Sequence, residues 1–469
     1  MGHPKLHGME KNLRMSKRWW LLGLVGLVLA GLLIACGSNY SSSSDGLVVV
    51  GSQGSGLLET FSFSLNNGHI SPIYNTPVDT NAETCVLNGL PSSLVMGPGG
   101  TYVYAIITAN SSCGTGSATG LMSFQVNPDG TLGAPSSLMT LNPQTITIQG
   151  STTPEQVAVV PNSLFMDSAG KFLFVADLAT TDSANNQIPG TVSVLALGSG
   201  GSLTEVSGSP FSVSTLAAGT TPNLVAVAAS PTVFPGIGLN GTQNSVCSVG
   251  QNPPTAEYLY AVDNQNYVVW EFAVNTSTGV LSSPDPPAAI PSYRTDSIPA
   301  GVAVDPCDRF VYVTGSLHND VSAYTICDGL PTASTTCTSA DLVPGALVEV
   351  AGSPFSLGGA ANGPGPVLED PYGNYVYVLS TLSNTISQFK IAPVTGSISA
   401  LTPTTVATGI GPVAMTIRSD DNWLFVANLG SIGNGGSTVS QYSITPATGE
   451  LSTLPAIQTD NYPSGVAVK

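Results

Sequence analysis

Two stretches of the chain hold residue types able to do chemistry together. "SYRTDS" (292–297) carries Arg294 and Asp296, and "GSLHND" (315–320) carries His318 and Asp320. Asp263 and Asn264 stand upstream in "AVDNQN". An imidazole titrates near neutral pH and serves as a general base, and a guanidinium stabilises charge developing on an oxygen. Together such a base and cation could activate water against a polarised carbonyl. The same residues would also suit solvated loops, so their meaning depends on the elements that position them.

Other chemistries leave no trace. There are no paired histidines, no C-x-x-C and no EF-hand loop, so neither a metal nor a cofactor is expected, although acids around a channel can hold Ca²⁺ weakly. No G-x-S-x-G elbow occurs, and "SQGSG" (52–56) has no identifiable His/Asp partners.

The positioning elements are repeats. "TYVYAII" (101), "KFLFVADL" (171), "EYLYAVDN" (257), "RFVYVTGS" (309), "NYVYVLST" (374) and "NWLFVANL" (422) are short aromatic and β-branched runs, and "GLVVVGSQ" (46) is a plainer seventh. Each reads as a strand followed by a turn. A second strand follows each one, as in "NDVSAYTI" and "NTISQFKI". Several then reach a turn whose glycine (Gly68, Gly130, Gly279, Gly396, Gly449) suits positive φ.

Pro-led segments precede six of these runs, at 91, 161, 222, 299, 364 and 412. The seventh is "PSGVAVK", the last residues of the chain. It supplies the inner strand of a unit whose other strands begin at Gly46. Four-stranded sheets repeated around an axis, with one sheet shared by both termini, predict an all-β, seven-bladed β-propeller over 46–469.

The units "P-x-x-V-A-V-D-P", "R-F-V-Y-V", "V-S-A-Y" and "T-G-x-L" resemble the YVTN/lactonase-type seven-bladed propellers, a group that includes 6-phosphogluconolactonase-like proteins. The resemblance runs over 46–469 and rests on packing motifs. It implies that lactone-handling members use His, Arg and a carboxylate near the channel mouth. Propeller topology puts the loops entering inner strands and the loops joining second to third strands on that rim. Arg294 and His318 map there, with Asp296, Asp320 and Asp263 as candidate carboxylates. Lys171, Arg309, Lys390, Arg418, Lys469 and His69 map to the opposite rim. One His and one Arg are a thin supply. A phosphorylated sugar lactone would want several cations around its phosphate, which disfavours 6-phosphogluconolactonase activity.

Charge and compartment narrow the partners. Residues 1–18 are basic, 19–35 are apolar, and "LIAC" ending at Cys36 is similar to a bacterial lipobox, followed by the Ser-rich "GSNYSSSSD". The expected organisation is a lipoprotein signal over 1–35, a linker over 36–45 with Cys36 lipidated, and the propeller. That anchors the protein outside the cytoplasm, at the outer membrane or cell surface. Losing 1–35 removes five of eleven cations and one of 28 acids, leaving a formal charge of −21. Nucleic acid is excluded as a partner by that balance.

Six cysteines after Cys36 are expected to form three disulfides in such a compartment. The blade map pairs Cys85 with Cys113, Cys247 with Cys307, and Cys327 with Cys337. The scarcity of bases favours a monomeric, non-enzymatic module that binds a protein or glycan through a rim. A hydrolase of neutral lactones is the alternative.

Overall fold

The computed structural model of the chain describes residues 45–73, 78–79, 89–109, 119–146, 154–213, 220–232, 256–285, 289–327, 337, 343–358, 361–431 and 436–469. The expected signal, Cys36 and most of the linker lie outside these residues.

The aromatic runs form strands buried on both faces. Phe310–Gly315, Tyr375–Ser380 and Trp423–Asn428 are buried at every position. A sheet with a neighbour on each side has no solvent face, so these strands read as continuous apolar runs instead of alternating ones. Seven such sheets are present. Their inner strands are Pro463–Val468, Gly89–Met96, Val160–Met166, Leu224–Ala229, Pro299–Val304, Pro364–Glu369 and Pro412–Ile417, which we number blades 1 to 7. All pairings are antiparallel, from inner strand to second, third and outer. The outer strands of blades 1, 3, 4 and 5 are each broken into two short pieces. The expected four-stranded, seven-bladed propeller is the observed fold. Small hairpins at Gln144–Ile146 with Glu155–Val157 and at Thr180–Thr181 with Gln187–Ile188 are additions that the repeats did not announce.

The recurring proline has a structural cause. In six inner strands the ladder skips one residue near the leading Pro: Ser92, Asn162, Ala300, Val413 and Ser464 directly after it, and Val225 three residues after Pro222. Proline lacks an N–H and is tolerated where a strand starts or bulges. The skipped residues line the central channel.

Neighbouring blades dovetail at the glycine turns. Gly68, Gly279, Gly396 and Gly449 have φ between 70° and 75°. Each lies against the leading aromatic of the preceding blade. A Cβ on Gly68 would come 2.5 Å from Trp423, one on Gly396 2.5 Å from Phe310, and one on Gly449 2.3 Å from Tyr375. The second aromatic of the run then reaches the same turn: Tyr312 Oη donates to Gly396 O (2.9 Å) and Tyr377 Oη to Gly449 O (2.7 Å). Tyr260 Oη donates likewise to Gly345 O at 2.8 Å.

The C-terminus closes the ring as expected. Val48 to Gly51 pair with Val468 to Gly465, and Ser52 pairs with Pro463. Lys469 N donates to Leu47 O (2.9 Å), and Ser464 Oγ donates to Pro91 O in blade 2 (2.6 Å).

Of the expected disulfides, Cys327–Cys337 is formed, with Cα atoms 5.7 Å apart. Cys307 is disulfide-bonded as well. Cys85, Cys113 and Cys247 lie outside the described residues, so the two pairings that involve them are not described.

Deleting 463–469 would strip blade 1 of its inner strand and leave both ring ends open. We expect aggregation, or a melting temperature lower by roughly 10 °C or more, in thermal unfolding followed by circular dichroism. A truncated protein as stable as the parent would refute closure as a source of stability.

Candidate functional site

In blade 5, the loop entering the inner strand and the loop joining the second and third strands are stitched together by backbone chemistry. Ser297, buried, accepts hydrogen bonds at Oγ from the N–H groups of Leu317 (2.9 Å) and His318 (3.0 Å). Ser316 N donates to Ile298 O (2.8 Å), and Thr295 N to Tyr267 O (2.9 Å) in blade 4. Asn319 takes the left-handed turn with φ 58°. Two loops distant in sequence thus form one rigid shelf.

On this shelf His318 Nδ1 lies 3.1 Å from Asp296 Oδ2 and 4.0 Å from Asp320 Oδ2. His318 and Asp296 are about half exposed, whereas Asp320 is 5% exposed. Asp320 opens the third strand directly opposite Gly315. Burial raises its pKa to about 6; the Asp296 charge adds to the rise and His318 opposes it.

Three of the five candidate residues are therefore brought together, and two are not. Arg294 ends the outer strand of blade 4 opposite Val268. It is exposed and has no ion pair among the described residues. Asp263 is fully buried, and its oxygens accept from Asn223 N, Gln265 N, Asn266 N, Asn266 Nδ2 and Trp270 Nε1. It holds its turn closed, with five donors filling its acceptor sites.

The channel itself has a volume of about 500 Å³ and is lined by all seven inner strands. None of the five candidates lines it. Its wall is Ser, Asn, Ala, Val, Pro and Met, and its charged residues are Glu369 and Asp370. No cation and no imidazole is among its described lining residues. Of the five candidates mapped to the channel-mouth rim, His318, Asp296 and Asp320 cluster there, while Arg294 and Asp263 stand apart from them.

Sequence reading passed over one feature of that rim. Tyr267, Leu317 and Leu382 follow the second strands of blades 4, 5 and 6, and Ile410 leads into blade 7. They are 44%, 60%, 72% and 52% exposed, forming an apolar arc on one side of the mouth. The visible signal was an apolar residue in an otherwise polar turn, as in "GSLHND" and "STLSNT".

Known proteins match at the level of fold. Residues 350–469 match the family model described as "Lactonase, 7-bladed beta-propeller". A periplasmic gluconolactonase of Pseudomonas aeruginosa is 18% identical over 91% of this chain and 99% of its own, with a TM-score of 0.60. A candidate 6-phosphogluconolactonase from Bacteroides fragilis is 18% identical over 92% and 99%, TM-score 0.60. A Lactobacillus plantarum protein is 12% identical over 91% and 99%, TM-score 0.57. No curated protein matches the sequence.

The interior holds unusual acids. Burial pushes Glu257, Glu271 and Asp421 up to about 8, and Asp177 to about 7. Glu271 accepts from Tyr293 Oη at 2.5 Å, which offsets only part of its rise. Groups whose folded pKa lies above the unfolded one contribute stability that is fully present below the unfolded pKa. It is lost as pH rises through the folded value. The window here runs from about pH 4 to about pH 8. We expect the melting temperature to be highest near about pH 5 and lower by roughly 5 °C or more at about pH 9, with Glu271→Gln flattening the fall. A melting temperature that stays level or climbs across that range would contradict the buried-acid account.

Proposed function

We propose that this chain belongs with the lactonase-type seven-bladed propellers and is a binding module held outside the cytoplasm, taking a protein or glycan on its channel-mouth rim. The observation that carries the reading is the channel wall, which has no cation and no imidazole among its described lining residues. A lactone in that cavity would find no guanidinium, ammonium or imidazole among the described lining residues to stabilise the developing oxyanion or to activate water. A phosphorylated substrate fares worse. The apolar arc of Tyr267, Leu317, Leu382 and Ile410 supplies the surface a macromolecular ligand would cover.

Anchoring at Cys36 fits the same reading. Asp45 pairs with Ser64 beside the turn at Gly68, on the rim opposite the channel mouth. The nine residue steps from Cys36 to Asp45 reach at most about 30 Å, so the anchor would hold that rim toward the membrane and point the mouth outward. The periplasmic location named for the Pseudomonas relative agrees with this placement.

A neutral-lactone hydrolase is the second reading, favoured by the 3.1 Å contact that lets Asp296 orient His318 as a base. Assaying the purified protein and its His318→Ala variant against a panel of neutral lactones separates the two. We expect no turnover above the spontaneous rate. Turnover that disappears in His318→Ala would install the hydrolase. Replacing Cys36 by Ser should shift the protein from the membrane fraction to the soluble one; unchanged fractionation would remove the lipid anchor.

A further inference from the structure

We propose that Asp296, His318 and Asp320 form a binding site for a first-row divalent transition-metal ion, for which Zn²⁺ is the suitable probe. The donor atoms already cluster. One donor atom from each of His318, Asp296 and Asp320 lies within 4.8 Å of the other two, and His318 Nδ1 is 3.1 Å from Asp296 Oδ2 and 4.0 Å from Asp320 Oδ2. Metal–ligand bonds of about 2.0–2.2 Å place two ligands of one ion roughly 3–3.5 Å apart. Small rotations of the exposed Asp296 and His318 toward the fixed Asp320 would complete the set.

A second observation points to a cation. Asp320 is only 5% exposed, and its Oδ1 has no hydrogen-bond partner among the described residues. Among the described residues neither Lys nor Arg pairs with it. Buried carboxylates are normally paired or coordinate metals. The side chain occupies room that exists only because residue 315 is glycine: a Cβ there would fall 2.1 Å from Oδ1. Its polar neighbours at the shelf are an imidazole and a second carboxylate, a set that favours a cation between them. The Ser297 bonds to Leu317 N and His318 N hold the two loops in place beforehand.

The donor types select the ion. One imidazole with two carboxylates suits Zn²⁺ or a neighbouring transition ion, whereas Ca²⁺ and Mg²⁺ prefer all-oxygen shells. Three protein ligands would leave further positions for water or a ligand's oxygen, as in open zinc sites. The inference stands apart from the binding reading, since it concerns what the shelf holds and not what the arc contacts.

The test is calorimetric titration of chelator-stripped protein with Zn²⁺, in physiological salt with excess Mg²⁺ to suppress diffuse binding. We expect one equivalent to bind. His318→Ala and Asp320→Asn should each weaken it by about tenfold or more, while His69→Ala on the opposite rim leaves it unchanged. His318 is exposed, so His318→Ala should remain folded and is the deciding variant should Asp320→Asn not fold. No saturable binding, several weak equivalents displaced by Mg²⁺, or affinity unaffected by His318→Ala would each overturn the site.

Discussion

Everything in this molecule depends on the contact between one blade's aromatic run and the glycine turn of the next. The turn must bend to positive φ, and it must have no side chain, because the neighbouring ring takes that space. The paired tyrosine then donates to the turn's carbonyl from a fully buried position. Each ring contributes about 1.5–3 kcal/mol by burial, but only while the adjacent blade is present. A sheet buried on both faces has no stable existence alone, so the interface repeats until the ring closes. At the last junction Gln441 Nε2 reaches Gly68 O at 2.6 Å, and Trp423 packs on the same glycine. The C-terminal strand completes blade 1 beside it.

This explains why the fold was legible in the sequence. The ring writes the same demands seven times, so the aromatic pairs, the turn glycines and the Pro-led strands recur at matching places. Even "PSGVAVK" is readable at the chain's end, because the six preceding copies define what it must be. The broken outer strands and the two added hairpins were less legible. The outer strands lie at the periphery and both hairpins lie in loops of the channel-mouth rim, where loop lengths vary freely.

The site was legible only in part, for the opposite reason. Rim residues answer to local hydrogen bonding that occurs once. Asp263 and Asp296 look equivalent as rim carboxylates in sequence. The first is consumed by five donors of its own turn, and the second stands open to solvent beside His318. Arg294 maps to the correct rim, yet it ends a strand on the neighbouring blade, exposed and outside the His318 cluster. Rim membership follows from topology, but side-chain convergence needs the register and the turn geometry as well.

Register also shows why blade 5 differs from its neighbours. Three residues after the second aromatic, blades 3, 4, 6 and 7 carry Asp177, Asp263, Ser380 and Asn428. Three of these satisfy groups near their own turn: Asp177 accepts from Thr191 and Ser193, Asp263 from its turn amides, and Asn428 donates to Thr438 and Ser440. Blade 5 has Gly315 at this position, which removes that side chain. Asp320, directly across on the third strand, fills the vacated space from the other side. Its carboxylate arrives where a polar group is normal, but among the described residues its Oδ1 finds no hydrogen-bond partner there. Its Oδ2 lies 4.0 Å from His318 Nδ1, at the exposed rim.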